Sequence, residues 1–172
     1  MLVNNLLENS AVKYPEKIAI TAGEGHYTYR EIDQMANKVA NALISEGLEK
    51  GDRVVIYLDN SLEAVASLFG VLKAGGIFLM INPSTKTEKL IYILNNCRAA
   101  VLIGPNGKLP LISEACNNTP SIRSVFLTGE NGGNRVSFSS YSFFQNNALR
   151  GVAQSELAPI PSATLGAASM PF

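Results

Sequence analysis

The sequence predicts an α/β fold, an open and mostly parallel sheet with helices on both faces, and two patterns in it point there. Four short apolar runs, Val54 to Leu58, Ile77 to Ile81, Ala99 to Ile103 and Ile122 to Thr128, have the length of strands covered on both sides. Between them, apolar residues recur every three or four positions, so the order reads strand, helix, strand, helix, strand, helix, strand. Short connections between such elements favour right-handed crossovers and parallel neighbours.

The organising stretch runs from Ser61 to Ser84, SLEAVASLFGVLKAGGIFLMINPS. Leu62, Val65, Leu68, Phe69 and Leu72 fall at helical spacing and would line the inner face of a nearly all-apolar, buried helix. Gly75 and Gly76 supply the backbone freedom that a tight reversal from helix to strand requires. Ile77 to Ile81 then reads as a buried strand, ended by Asn82 and Pro83 because proline lacks the ladder donor. Ala64 to Ile81 approaches the length of a membrane span, but Lys73, the two glycines and the change of period within it fit a folded core.

The remaining elements follow in order. Leu2, Leu6 and Leu7 give a short opening helix that stops before Tyr14 and Pro15. Lys17 to Thr21, then Gly23, Gly25 and Tyr27, read as a small hairpin. Thr28 and Glu31 form the T-x-x-E pattern in which hydroxyl and carboxylate each satisfy a backbone donor at a helix start. The helix they open carries Ile32, Met35, Ala36, Val39, Ala40 and Leu43 on its apolar face, with Gly47 just past its end. Asn60 is expected to cap the next helix, with Glu63 three residues on. Thr85 and Glu88 repeat the T-x-x-E start for a helix that holds Leu90, Ile91, Ile93 and Leu94. Gly104 to Gly107 reads as a turn and Leu111 to Cys116 as a helix. Beyond Thr128 only Tyr141 to Leu149 suggests a further short helix, and the final APIPSATLGAASMPF has three prolines and no period. Residues 1–150 are therefore expected to form one domain and residues 151–172 an irregular tail.

Composition excludes several classes of function. Fourteen basic and fourteen acidic residues cancel in a chain of 172, leaving no electrostatic footprint for nucleic acid or an anionic membrane. Cys97 and Cys116 have neither disulfide-scaffold density nor metal-ligand spacing, which suggests reduced thiols in a cytoplasmic protein. The amino-terminal residues lack the basic, apolar and small-residue zones of a signal peptide. His26, the single histidine, has no neighbouring cysteine or carboxylate cluster and reads as a solvated turn or strand residue.

The segment TYREID, Thr28 to Asp33, resembles the early T-Y-x-E-L signature of the AMP-forming, adenylate-forming enzymes, which include acyl-CoA synthetases, luciferase and peptide-synthetase adenylation domains. VLKAGGIFLMINPS, Val71 to Ser84, is similar to that family's L-K-A-G-x-x-x-x-x-x-x-P signature, and GDRVVIYLDNS, Gly51 to Ser61, fits its G-D-x-V, strand, N-S pattern. These matches span roughly Leu6 to Ile103, in order. Asn82-Pro83, in place of the Pro-Leu-Asp or Pro-Ile-Asp of amino-acid-activating modules, leans toward acyl-CoA synthetases. The resemblance implies a two-step reaction in which a carboxylate substrate attacks the α-phosphate of ATP, with Mg2+, and a thiol such as CoA then takes the acyl group from the adenylate.

The 172 residues themselves contain neither a GxxxxGK[ST] loop nor a GxGxxG that opens a helix. The family's phosphate loop resembles T-S-G-S/T-T-G-x-P-K-G and is expected shortly after Ser155 to Ile160, where this sequence instead gives PSATLGAASMPF. No catalytic residue, metal ligand or cofactor-binding residue is assigned on this reading, nor is tight nucleotide binding by this chain expected. Thr28 and Glu31 read as a helix cap, Gly75 and Gly76 as a corner, and Lys73 as a lysine reaching from a helix end to water. Asn60 and Ser61 lie where a strand gives way to a helix, the edge on which α/β proteins bind ligands, and are the candidate pocket residues. The chain thus reads as the amino-terminal fragment of such a ligase, inactive alone, with association expected through an exposed sheet edge. The alternative is a non-catalytic α/β binding or interaction module derived from the family.

Overall fold

The computed structural model describes residues 3–129 and the backbone of 137–142. Helix α1 (Asn4–Lys13) leads to a hairpin of β1 (Ile18–Ala22) and β2 (Gly25–Thr28), then to α2 (Tyr29–Ser45). The sheet unit follows as β3 (Arg53–Ile56), α3 (Leu62–Lys73), β4 (Ile77–Met80), α4 (Thr87–Cys97), β5 (Val101–Pro105), α5 (Leu109–Asn117), β6 (Ser124–Gly129) and β7 (Ser137–Ser142), with a 3-10 turn at Asn106–Lys108. Strand order is β4-β3-β5-β6-β7, the first four parallel and β7 antiparallel to β6. The alternation predicted an α/β fold, and an α/β fold forms.

Successive residues of a strand face opposite sides of a sheet, and here both sides are buried. Val54, Ile56, Val101, Ile103 and Phe126 pack with Val39 and Leu43 of α2 and Val71 of α3. Val55, Leu102, Val125 and Leu127 pack on the other side with Leu90 and Leu94 of α4 and Ile112 and Ala115 of α5. A third layer lies outside α2 and α3, where Leu7 of α1 meets Ile32, Ala36 and Leu62, with Ile20 and Tyr27 of the hairpin against them. Among the described residues no helix is long and apolar enough to cross a membrane.

The cap at Thr28 forms as expected. The Glu31 N–H donates to Thr28 Oγ1 at 3.3 Å, and the Thr28 N–H donates to Glu31 Oε2 at 2.8 Å. Thr28→Ala is expected to lower stability by about 1 kcal/mol in a urea melt, because the first turn of α2 loses an acceptor for an otherwise unmet donor.

Several expectations give way to packing. The residues of α3 that are fully buried are Leu62, Ala64, Ala66, Ser67, Gly70 and Val71, whereas Val65, Leu68, Phe69 and Leu72 are partly exposed. The cause is close approach to α2: a Cβ on Gly70 would stand 2.6 Å from Val39 Cβ, so small residues take the inner face. Strand β4 lies at the sheet edge and is only half covered: Phe78 packs on one face and Leu79 on the other, while Ile77 is 51% and Met80 48% exposed. Ser61, not Asn60, caps α3, its side chain accepting from the Ala64 N–H at 3.2 Å. The second T-x-x-E pattern makes no cap. Thr85 stays in the preceding turn, where its N–H donates to the Asn82 carbonyl at 2.9 Å, and α4 starts two residues later without a side-chain cap. Gly104 and Pro105 belong to β5 rather than to a turn. Tyr141 and Ser142 lie in β7, not in a helix, while 143–149 and the tail 151–172 fall outside the described residues.

Candidate functional site

In a parallel sheet, ligands bind at the carboxyl ends of the strands where the connections diverge to opposite sides. From β3 the chain moves outward to β4 and then crosses to β5 on the other flank, so that divergence falls between β3 and β5. Tyr57 and Leu58 extend β3 at this point, and Asn106 to Lys108 follow β5.

The crevice is filled from within. Tyr57 is fully buried, its N–H donating to the Ile103 carbonyl at 2.8 Å, and its hydroxyl lies 2.6 Å from the Pro83 carbonyl and 2.8 Å from that of Thr85. Its single proton serves one carbonyl at a time. Lys108 donates to the Pro83 carbonyl at 2.5 Å and stands 5.3 Å over the Tyr57 ring. Burial, and secondarily the charge of Asp59, pushes the phenol above its ordinary pKa, so it remains a donor at neutral pH. Tyr57 and Lys108 therefore pin the loop after β4 across the crevice. Tyr57→Phe is expected to cost about 1 kcal/mol, read as a lowered midpoint in urea unfolding.

Beside that plug, on the β3–β4 flank, lies a shallow groove of about 280 Å³ lined by Leu58, Asp59, Asn60, Met80, Ile81, Asn82 and Pro83. Asn60 is thus on a pocket wall. Ser61 is not among its lining residues, since its side chain is committed to the α3 cap. Asn82 fixes the far wall by accepting from the Ser84 N–H at 2.8 Å. Nothing in the sequence singled out Lys108, because a lysine after a strand is ordinary surface composition until the loop it reaches is known.

The other singled-out residues lie away from this groove. Gly75 adopts a φ of +81°, and a Cβ on Gly76 would sit 3.0 Å from Val71 Cγ1 and 3.3 Å from the Asp52 carbonyl. Lys73 does not reach to water: only 9% of its side chain is exposed, and its Nζ lies 2.9 Å from Asp33 Oδ1 and 3.0 Å from Glu8 Oε1. His26 is exposed on the hairpin with Nδ1 3.2 Å from Thr21 Oγ1. Burial raises the pKa of Cys97, and that of Cys116 to about 12, which disfavours the thiolate at either. Among the described residues no three histidine, cysteine or carboxylate side chains are grouped to hold a metal ion.

A family model described as AMP-binding enzyme matches residues 7–154. The chain belongs to the AMP-binding enzyme family. Within it, relatives come from two branches. Tyrocidine synthase 2 of Brevibacillus parabrevis is 36% identical over 104 residues, 60% of this chain and 3% of that protein. A medium/long-chain-fatty-acid–CoA/3-oxocholest-4-en-26-oate–CoA ligase of Mycobacterium marinum (strain ATCC BAA-535 / M) is 26% identical over 125 residues, 73% of this chain and 23% of that one. Among solved structures, the anthranilate CoA ligase AuaEII in complex with anthranoyl-AMP superposes with a TM-score of 0.72 at 33% identity, over 78% of this chain and 26% of that one. The chain accordingly spans about a quarter of the two CoA ligases and a few per cent of the peptide synthetase. Its α/β unit is an adenylate-forming fold in its amino-terminal portion, and the AMP-binding family to which it belongs is one that uses ATP.

Proposed function

We propose that this chain supplies the architectural amino-terminal part of an AMP-forming ligase. In the complete reaction, a carboxylate oxygen attacks the α-phosphorus of ATP, the bond to the bridging oxygen breaks, pyrophosphate leaves and an acyl-adenylate forms. A thiolate then attacks the acyl carbon, AMP departs and a thioester results. Mg2+ would accompany the nucleotide, and CoA or an acyl carrier would supply the thiol. Asn82-Pro83 and the M. marinum ligase support the acyl-CoA branch and a fatty-acid substrate. We take residues 1–150 as the domain, 151–172 as an irregular tail and the setting as cytoplasmic.

One observation carries the scaffold role: the divergence point of the sheet, where a nucleotide would be expected, is occupied by Tyr57, Lys108 and the Pro83 carbonyl. Tyr57 commits its one proton, and Lys108 one of its three donors, to carbonyls of the loop that closes this point. The 172-residue chain is therefore expected to give no ATP–pyrophosphate exchange above a protein-free blank with fatty, aromatic or amino acids and Mg2+. Exchange above the blank with any of them would overturn the scaffold reading.

A further inference from the structure

Helix α1 is the element the fold holds most lightly. Of its ten residues only Leu7 is buried, against Ile32, Ala36 and Leu62, while Leu6 and Val12 are exposed. Its sequence, NNLLENSAVK, is rich in asparagine, serine and valine, which are poor helix formers, and no side chain caps its start. An isolated helix needs about 12–15 residues to persist in water, so α1 is helical because it is docked.

One latch and one hinge define that docking. The latch is Glu8, whose Oε1 lies 3.0 Å from Lys73 Nζ on α3; the side chains of Asn4 and Asn5 donate to the same carboxylate at 3.2 and 3.1 Å and aim it. The hinge lies at Tyr14 and Pro15, where helical dihedral angles end. Just beyond it, the Arg30 N–H donates to the Pro15 carbonyl at 3.2 Å and the Tyr29 N–H to the Lys17 carbonyl at 3.1 Å, which fastens the hairpin to the first turn of α2 independently of α1. Among the described residues, none of α1 belongs to either cluster that seals the sheet, and Asp33, 2.9 Å from Lys73, remains to pair the lysine when Glu8 departs.

We infer that α1 is a strap, which undocks and melts as one unit about Tyr14 and Pro15 and uncovers the apolar face of Ile32, Ala36 and Leu62 while the sheet stays folded. Local openings of this kind are drawn from the parts of a structure with few buried apolar contacts. Leu7 and the Glu8–Lys73 pair set how often the strap opens, and neither depends on the ligase reading above.

Native-state amide exchange of the 172-residue chain, followed by NMR in increasing sub-denaturing urea, tests this. The amides of residues 8–13 carry the hydrogen bonds of α1. They are expected to share one protection factor, at least a hundredfold below those of Val55 and Leu102 in the strand centres, with a weaker dependence on urea because less surface is exposed. Glu8→Gln keeps the size of the side chain and removes its charge, and it should lower protection throughout residues 8–13 by a common factor of at least three; Leu7→Ala should lower it at least tenfold. Protection in α1 equal to that of Val55 and Leu102, with the same urea slope, makes α1 part of the global unit and overturns the inference. Protection graded along residues 8–13 is fraying from an end and overturns it as well, as does an effect of Glu8→Gln and Leu7→Ala confined to the amides beside each substitution.

Discussion

Gly70→Ala is expected to destabilise the protein by about 2 kcal/mol, although alanine is the better helix former. Replacing glycine by alanine within a helix ordinarily gains about 1 kcal/mol. Here the added Cβ would meet Val39 Cβ and Cγ1, both at 2.6 Å, and the Ala36 carbonyl oxygen at 3.1 Å. A methyl forced against a Cβ and a backbone oxygen has no flexible tip to push aside, so α2 and α3 must part, and overpacking of this kind costs roughly 1–3 kcal/mol or more. Parting them disturbs Val39 and Leu43, which seal one face of the sheet. Gly107→Ala is the control, since nothing lies within 4 Å of a Cβ there, and it should change stability by less than about 0.5 kcal/mol. Urea unfolding of the two variants beside the parent protein reads the difference directly.

Lys73→Met is expected to cost about 2–3 kcal/mol near neutral pH, with a characteristic pH profile. Lys73 on α3 holds Asp33 of α2 and Glu8 of α1, so three helices share one buried cation. Burial is the largest single influence on Lys73 and lowers its pKa, but hydrogen bonds and charge from Asp33 and Glu8 together outweigh it and leave the pKa above its usual 10.5. Glu8 is held below its usual 4.5, first by the hydrogen bond from Lys73 and then by that from Asn4. Methionine retains the volume and removes the charge, stranding two carboxylates against one another. The sign follows from which state binds more protons. A carboxylate with a depressed folded pKa contributes stability above its unfolded value and loses it as pH falls through the folded one. A lysine with a raised folded pKa contributes below its unfolded value and loses it as pH rises through the folded one. The deficit of Lys73→Met relative to the parent should thus be largest between about pH 5 and 10 and shrink below pH 4.5 and above pH 10.5. Denaturant midpoints measured at about pH 3.5, 7 and 11.5 would show it, and a deficit independent of pH would assign Lys73 a packing role alone.

Much of the fold was legible because its signals are local. The capping box at Thr28 and Glu31 needs only four residues to form, and the apolar runs of β3, β5 and β6 are long enough to exclude an amphipathic alternative. What stayed hidden depends on lateral order. The run at β4 is as apolar as the others, yet whether a strand is interior or at an edge is decided by which neighbour it pairs with, and no residue in it records that. The inner face of α3 was misjudged for a related reason: helical spacing identifies the largest apolar residues, whereas close approach to α2 selects the smallest. At the candidate site, Asn60 was found from its place after a strand, while Ser61, adjacent to it, turned inward as a cap because a hydroxyl reaches its own third-residue amide. The Tyr57–Pro83–Lys108 plug is held by hydrogen bonds between residues 25 and 26 positions apart in sequence and carries no local mark.

The most direct measurement is calorimetric titration of the 172-residue chain with ATP and Mg2+. A scaffold whose crevice is already filled by its own side chains should show no saturable heat up to about 1 mM nucleotide, the level at which association is worth roughly 4 kcal/mol. Stoichiometric binding with a Kd on the order of micromolar, about 8 kcal/mol, would contradict it and place a nucleotide site within these residues.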